Sequence, residues 1–288
     1  MRRKTFSALM ASVTATAMFA SSGAAAGTVL YDAVTVPLPS NVTSLGYEAT
    51  QTSEFGQALT LASAGTLDSV TVTMSSWACQ TGQWQNGDCL TVPNGDGSLP
   101  TFNHPITINL YQPGTGNVGD GPGALIGSVT QTIAVPFRPS VNATCPSTNA
   151  AGTTGYRRTD DATRCTDGYA FNATFNFPGL ALPANVVVGV AYSTAGDVPA
   201  DALNVGLTTA EPTTGTAGDV YWDSTYDGRT PGFTDDGDWG YNVMIRLETA
   251  PLAPVTALDC KNGGFKGYGF SNQGQCVASV KANVNAGK

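Results

Sequence analysis

Carboxylates and flat rings gather in one stretch of the chain. Between positions 210 and 240 stand Asp219, Asp223, Asp227, Asp235, Asp236 and Asp238, opposed by a single base, Arg229. Interleaved with them are Tyr221, Trp222, Tyr226, Phe233 and Trp239, and Tyr241 follows directly. Asp235, Asp236 and Asp238, set around a glycine, offer the hard oxygen ligands that Ca²⁺ prefers. Their spacing departs from that of an EF-hand loop, and Asp-Gly clusters also build plain turns with solvated carboxylates. Calcium at these three residues is therefore one expectation and a solvated turn the other. Trp222, Tyr226, Trp239 and Tyr241 have two readings as well. Rings exposed on a loop can stack on the apolar faces of sugars, whereas rings flanking strands pack as core or rim.

Other catalytic arrangements are sparse. The chain has no GxSxG nucleophile elbow, no phosphate-cradling Gly-Lys-Ser/Thr loop and no HExxH. His104 is the only imidazole, and its neighbours place it at the entrance of a strand over 106–110, where bonding to backbone accounts for it. Two acids can hydrolyse a glycoside without histidine. Among Glu48, Glu54, Glu211 and Glu248, however, no two share one alternating strand face, and a short polar turn is expected between Glu48 and Glu54. No catalytic residue is assigned.

Six cysteines of even count read as three disulfides in an exported chain. Cys79 with Cys89, Cys145 with Cys165 and Cys260 with Cys276 are near neighbours separated by long strand-like stretches, so sequential pairing is expected. The chain has no CxxC, and one histidine cannot complete the paired Cys/His ligand sets of a zinc site.

The elements that must position these residues show a period of two. Val70, Val72 and Met74 alternate with polar neighbours, as do Ile106, Ile108 and Leu110; Phe171, Ala173, Phe175 and Phe177; Leu203, Val205 and Leu207; and Tyr241, Val243, Ile245 and Leu247. Residues 186–192 form a nearly continuous apolar run suited to a central strand, and further strands fit 28–34, 57–62 and 124–134. Low charge with abundant Gly, Thr, Ser and Val argues against helical bundles. The expected fold is all-β, a two-sheet antiparallel sandwich of jelly-roll type, with a closed barrel as the alternative. Its long connections, 78–103, 138–167 and 210–240, are where such a scaffold carries function.

Arg2, Arg3 and Lys4, the apolar run over 6–20 and Ala24-Ala25-Ala26 fit a signal peptide over 1–26. A sandwich domain over 27–255 and a disulfide-closed tail over 256–288 are expected to follow. Lys and Arg total 13 against 21 Asp and Glu, and no Lys or Arg occurs from Gly27 to Phe137. Phosphate backbones require clustered positive charge, so nucleic acid is not an expected partner. Membrane insertion is not expected either, because the apolar stretches are too short or too polar.

Several segments carry a resemblance: Val29-Leu30-Tyr31-Asp32, Leu45-Gly46-Tyr47-Glu48-Ala49-Thr50, the run over 70–77, His104-Pro105-Ile106-Thr107-Ile108-Asn109-Leu110-Tyr111 and Pro136-Phe137-Arg138-Pro139-Ser140. In these the chain resembles a family of secreted actinobacterial proteins. The stretch from Cys260 to Cys276 is similar to a short cysteine-bounded tail at the ends of such proteins. The resemblance implies export and an extracellular location, and it brings no catalytic assignment. The expected function is that of a secreted, non-catalytic sandwich binding an extracellular polysaccharide or another cell-surface polymer. A glycan-cleaving hydrolase with paired carboxylates and a structural or surface-adhesion protein are the alternatives.

Overall fold

The computed structural model describes residues 27–46, 52–114, 121–145, 155–157, 165–193, 203–224, 232–234, 240–250, 254, 256–268 and 270–286. These fall into two units, one spanning Gly27–Ala250 and one containing the residues from 254 onward.

The larger unit is the two-sheet antiparallel sandwich expected from the alternation. Its strands in chain order are β1 (Val29–Asp32), β2 (Thr43–Gly46), β3 (Thr52–Thr60), β4 (Gly65–Ser76), β5 (Thr101–Tyr111) and β6 (Leu125–Pro136). The short β7 (Tyr156–Arg157) and β8 (Cys165–Thr166) come next, followed by β9 (Tyr169–Leu182), β10 (Asn185–Ala191), β11 (Leu203–Thr208), β12 (Thr216–Ser224), β13 (Gly232–Thr234), β14 (Asn242–Val243) and β15 (Ile245–Thr249). One sheet runs β13-β12-β3-β10-β5-β6. The other runs β1-β15-β4-β11-β14, with β9 on the free side of β4 and β2 on β11.

Alternation fixes which face turns inward. Val70, Val72 and Met74 of β4, Ile106, Ile108 and Leu110 of β5, Phe175 and Phe177 of β9, Val188 and Val190 of β10 and Ile245 and Leu247 of β15 all lie in one buried core, with Phe171 half-buried against it. A one-residue slip would turn each of these sets to solvent, so the register is strongly specified. β10 is buried on both faces, as its continuous apolar run predicts. At one edge Gln131 of β6 reaches across to β9, donating through Nε2 to the Thr174 carbonyl at 3.1 Å and accepting the Asn176 N–H through Oε1 at 2.9 Å. In the core, Gln57 of β3 donates to the Gly218 carbonyl at 2.9 Å and to Asn242 Oδ1 at 2.7 Å. Its Oε1 accepts the Val243 N–H at 2.9 Å.

The sequential disulfides Cys79–Cys89, Cys145–Cys165 and Cys260–Cys276 are formed as expected. The first two hold connections that lean on one another. Arg138 N–H donates to the Ala78 carbonyl and Val141 N–H to that of Cys89, while the buried Arg138 guanidinium lies over the Tyr156 ring at 5.6 Å. Among the described residues the smaller unit has a 3-10 turn over Gly264–Tyr268 and a helix, α1 (Gln273–Ala286), around Cys260, Cys276 and Val280, with Phe265, Tyr268, Phe270 and Val277 packed against them. Among the described residues no helix is long and apolar enough to cross a membrane.

Two expectations need correction. The stretch 210–240 is not one long connection, since it contains β12 and β13. Val220 and Trp222 of β12 face the main core while Tyr221 joins a second apolar cluster on the opposite face. Apolar rings on both faces erase the polar alternation that marks a strand. His104 is not at a strand entrance but inside β5, on its inward face, buried with its ring edge-on to Tyr192 at 6.0 Å.

Candidate functional site on the six-stranded sheet

The outer face of the six-stranded sheet carries a carboxyl in an unusual place. β3 begins at Thr52, five residues before the strand start expected at 57, so Glu54 is a strand residue. Phe55, Gln57 and Leu59 are the inward phase of β3, which puts Glu54, Gly56 and Ala58 on the outer face. Register then builds the surroundings. Gly56 pairs with Tyr221 of β12 on one side and with Gly189 of β10 on the other, and Gly189 pairs with Asn109 of β5. Two glycines side by side leave a trough in the middle of the sheet.

The Glu54 side chain lies in that trough. A Cβ built on Gly189 would overlap Glu54 Oε1, so the glycine is what makes room for the carboxyl. Glu54 Oε2 accepts from the Tyr111 hydroxyl at 3.0 Å and from Asn109 Nδ2 at 3.2 Å. Asn109 Oδ1 in turn accepts from Ser128 Oγ at 2.6 Å, and the Thr107 and Thr130 hydroxyls meet at 2.7 Å on the same ladder. Glu54 Oε1 is shielded from solvent and receives no hydrogen bond, in a residue only 8% exposed. Asp223 of β12 stands directly opposite Glu54 across the strand pair. Two carboxyls in that relation repel.

An apolar wall completes the face. Phe233, Tyr221 and Val187 are buried together, with Ala58 and the half-buried Tyr111 against them. Tyr221 lies 5.8 Å from Phe233 and 6.4 Å from Tyr111, ring centre to ring centre. Burial pushes Glu54 above the usual carboxylate range; Asp223 adds to this, and the hydrogen bonds from Tyr111 and Asn109 oppose it. Burial likewise raises Tyr111 and Tyr221, each further raised by the nearby Glu54 charge, so both keep their phenolic protons. The six strands of this sheet contain no lysine or arginine.

The residues singled out in the sequence are placed differently. Trp222 packs edge-on against Phe55, with ring centres 5.5 Å apart, and Tyr241 is half-buried against the main core. Tyr226, Asp235, Asp236, Asp238 and Trp239 lie outside the described residues. Among the described residues no group of three or more His, Cys, Asp or Glu could hold a metal ion. The pairing of Glu54 with Asp223 was not visible in the chain, because the two are 169 positions apart and meet only through the β3–β12 register. The available signal was a lone glycine in each of two apolar strands, which marks close approach by another group. Comparison with protein-family models, curated proteins and solved structures gives no match.

Proposed function

We propose that this chain is a secreted, non-catalytic β-sandwich protein that binds an extracellular glycan on the outer face of its six-stranded sheet. The observation carrying this reading is Glu54: a buried carboxyl with one oxygen lacking a donor, laid over a glycine among tyrosines. A buried acceptor without a partner costs about 1–3 kcal/mol, more when charged. Such perturbed groups cluster where a ligand is met. A sugar supplies what the face lacks, hydroxyl donors for the carboxyl and the Asn109, Ser128, Thr107 and Thr130 ladder, and an apolar ring face for Tyr111. Three disulfides and the sequence resemblance support an extracellular location.

The opposition of Glu54 and Asp223 favours one second reading, hydrolysis of a glycosidic bond by two carboxyls. Calcium at Asp235, Asp236 and Asp238 remains part of the proposal as a loop-ordering ion. An array of soluble and insoluble polysaccharides with the purified mature protein tests the main reading. Retention on a glycan that is lost in Tyr111→Ala supports binding, release of reducing ends supports hydrolysis, and retention unchanged in Tyr111→Ala removes the face from consideration. A melting temperature lowered by chelator and restored by calcium, with the effect lost in Asp235→Asn/Asp236→Asn, supports the ion there.

A further inference from the structure

We infer that the Glu54 trough takes a primary ammonium group, so that the glycan recognised on this face is one bearing free amines; this rests on reading the face as a glycan site. Three observations lead there. Glu54 and Asp223 stand opposed on one face, and the six strands of the sheet bring no lysine or arginine to balance them. Glu54 Oε1 is buried and receives no donor. Tyr111 and Tyr221, with Phe233 behind them, set aromatic rings beside the carboxyl. A neutral hydroxyl would satisfy the hydrogen-bonding capacity of Oε1 but leave its charge uncompensated in a buried site, whereas an ammonium does both.

The geometry also selects among cations. A guanidinium binds a carboxylate best through two parallel hydrogen bonds, one to each oxygen. Here Oε2 is already held by Tyr111 and Asn109, which leaves one oxygen and suits a compact point charge. Oε1 is shielded in the unliganded protein, so the ammonium reaches it as the Glu54 side chain shifts in the trough, with Tyr111 and Asn109 kept on Oε2.

The groups facing Glu54 are Tyr111 and Asn109 from β5, Tyr221 and Asp223 from β12, and Gly189 from β10. Of these Asp223 is the only other carboxyl, and the tyrosines stay neutral. Burial raises Glu54, so ammonium binding competes with a proton there, and affinity climbs as pH rises through the Glu54 titration.

Titration calorimetry at fixed ionic strength, with a glucosamine tetramer, the matching N-acetylglucosamine tetramer and putrescine, separates the possibilities. The expected result is a glucosamine tetramer binding about tenfold or more tighter than its acetylated counterpart. Protons are released in buffers of differing ionisation heat, and Glu54→Gln loses the difference. Should Glu54→Gln not fold, Gly189→Ala is used instead, and the comparison of the two tetramers on unaltered protein needs no variant. Equal or tighter binding of the acetylated tetramer overturns the ammonium inference and leaves the glycan reading standing. Putrescine binding without either tetramer keeps the ammonium site and overturns the glycan reading. No binding by any of the three overturns the ammonium inference, and the glycan reading then stands or falls on the polysaccharide array.

Discussion

Replacing Gly189 with alanine is the most informative single change, because it adds one methyl group and touches one side chain. Gly189 does not occupy the left-handed backbone region, so β10 accepts an L residue there without backbone strain. The new Cβ would overlap Glu54 Oε1, so the carboxyl has to shift, and the expected outcome is that it leaves the trough and gives up its bonds from Tyr111 and Asn109. Hydrogen bonds to a charged group contribute about 1.5–3 kcal/mol each, but the expelled carboxylate regains water and escapes Asp223. The alanine also removes unfolded-state entropy, which stabilises by about 0.4–1 kcal/mol. These terms oppose one another, so the melting temperature at neutral pH should move little. What changes is the pH dependence. In the unaltered protein Glu54 binds its proton more tightly when folded than when unfolded, so stability falls as pH rises from the unfolded carboxyl value, about 4.3, through the raised folded value, and stays lower above it. With Glu54 in solvent that descent disappears. Losing one charge-assisted contact to ligand should weaken glycan binding by about 10- to 150-fold. Melting curves by differential scanning calorimetry from pH 4 to 8, with calorimetric titration of ligand, measure both. A variant that keeps the unaltered protein's pH profile and affinity would show that the carboxyl does not lie over Gly189.

Further outcomes follow from the same contacts. Glu54→Gln should match the unaltered protein near pH 4 and exceed it in melting temperature increasingly as pH rises, since the amide removes the buried charge and its repulsion with Asp223; an advantage independent of pH would contradict this. Phe175→Ala, at a fully buried ring of β9, should cost about 3–5 kcal/mol in denaturant unfolding. Gln57→Leu leaves the Gly218 carbonyl and the Val243 N–H without their partners and should cost about 2–5 kcal/mol, against little change for an exposed control such as Thr132→Ala. Removing Cys79–Cys89 by a double serine substitution should cost on the order of 3 kcal/mol, with the loop over 79–89 becoming the first site of proteolysis.

The contrast between sandwich and site shows what a sequence encodes locally. Val70, Val72 and Met74, or Ile106, Ile108 and Leu110, announce an inward face because apolar side chains line one face and polar ones the other, and each lies in the core as read. β12 does not announce itself, because Tyr221 and Phe233 make its outer face apolar where the aromatic wall lies. The same wall is part of the candidate site, so the feature that obscured the strand is the feature that gives it a role. Glu54 was hidden differently: the strand was expected to begin at Gln57, just past Gly56, whereas β3 begins at Thr52. Jelly-roll connectivity is a matter of strand order, which alternation does not carry, and the meeting of Glu54 with Asp223 depends on register between segments far apart in the chain. Disulfides are the opposite case, since near neighbours such as Cys79 and Cys89 close short loops and pair as proximity suggests.

Mapping ligand-induced backbone amide shifts by heteronuclear NMR, during titration with an oligosaccharide that the protein retains, tests the central claim most directly. The account predicts that the perturbed amides cluster on the outer face of the six-stranded sheet, at Glu54, Gly56, Asn109, Tyr111, Gly189 and Tyr221, with the seven-stranded sheet and the tail around Cys260–Cys276 unmoved. Shifts concentrated on β4, β9 or β15, or in the tail, with Glu54 and Gly189 silent, would contradict it.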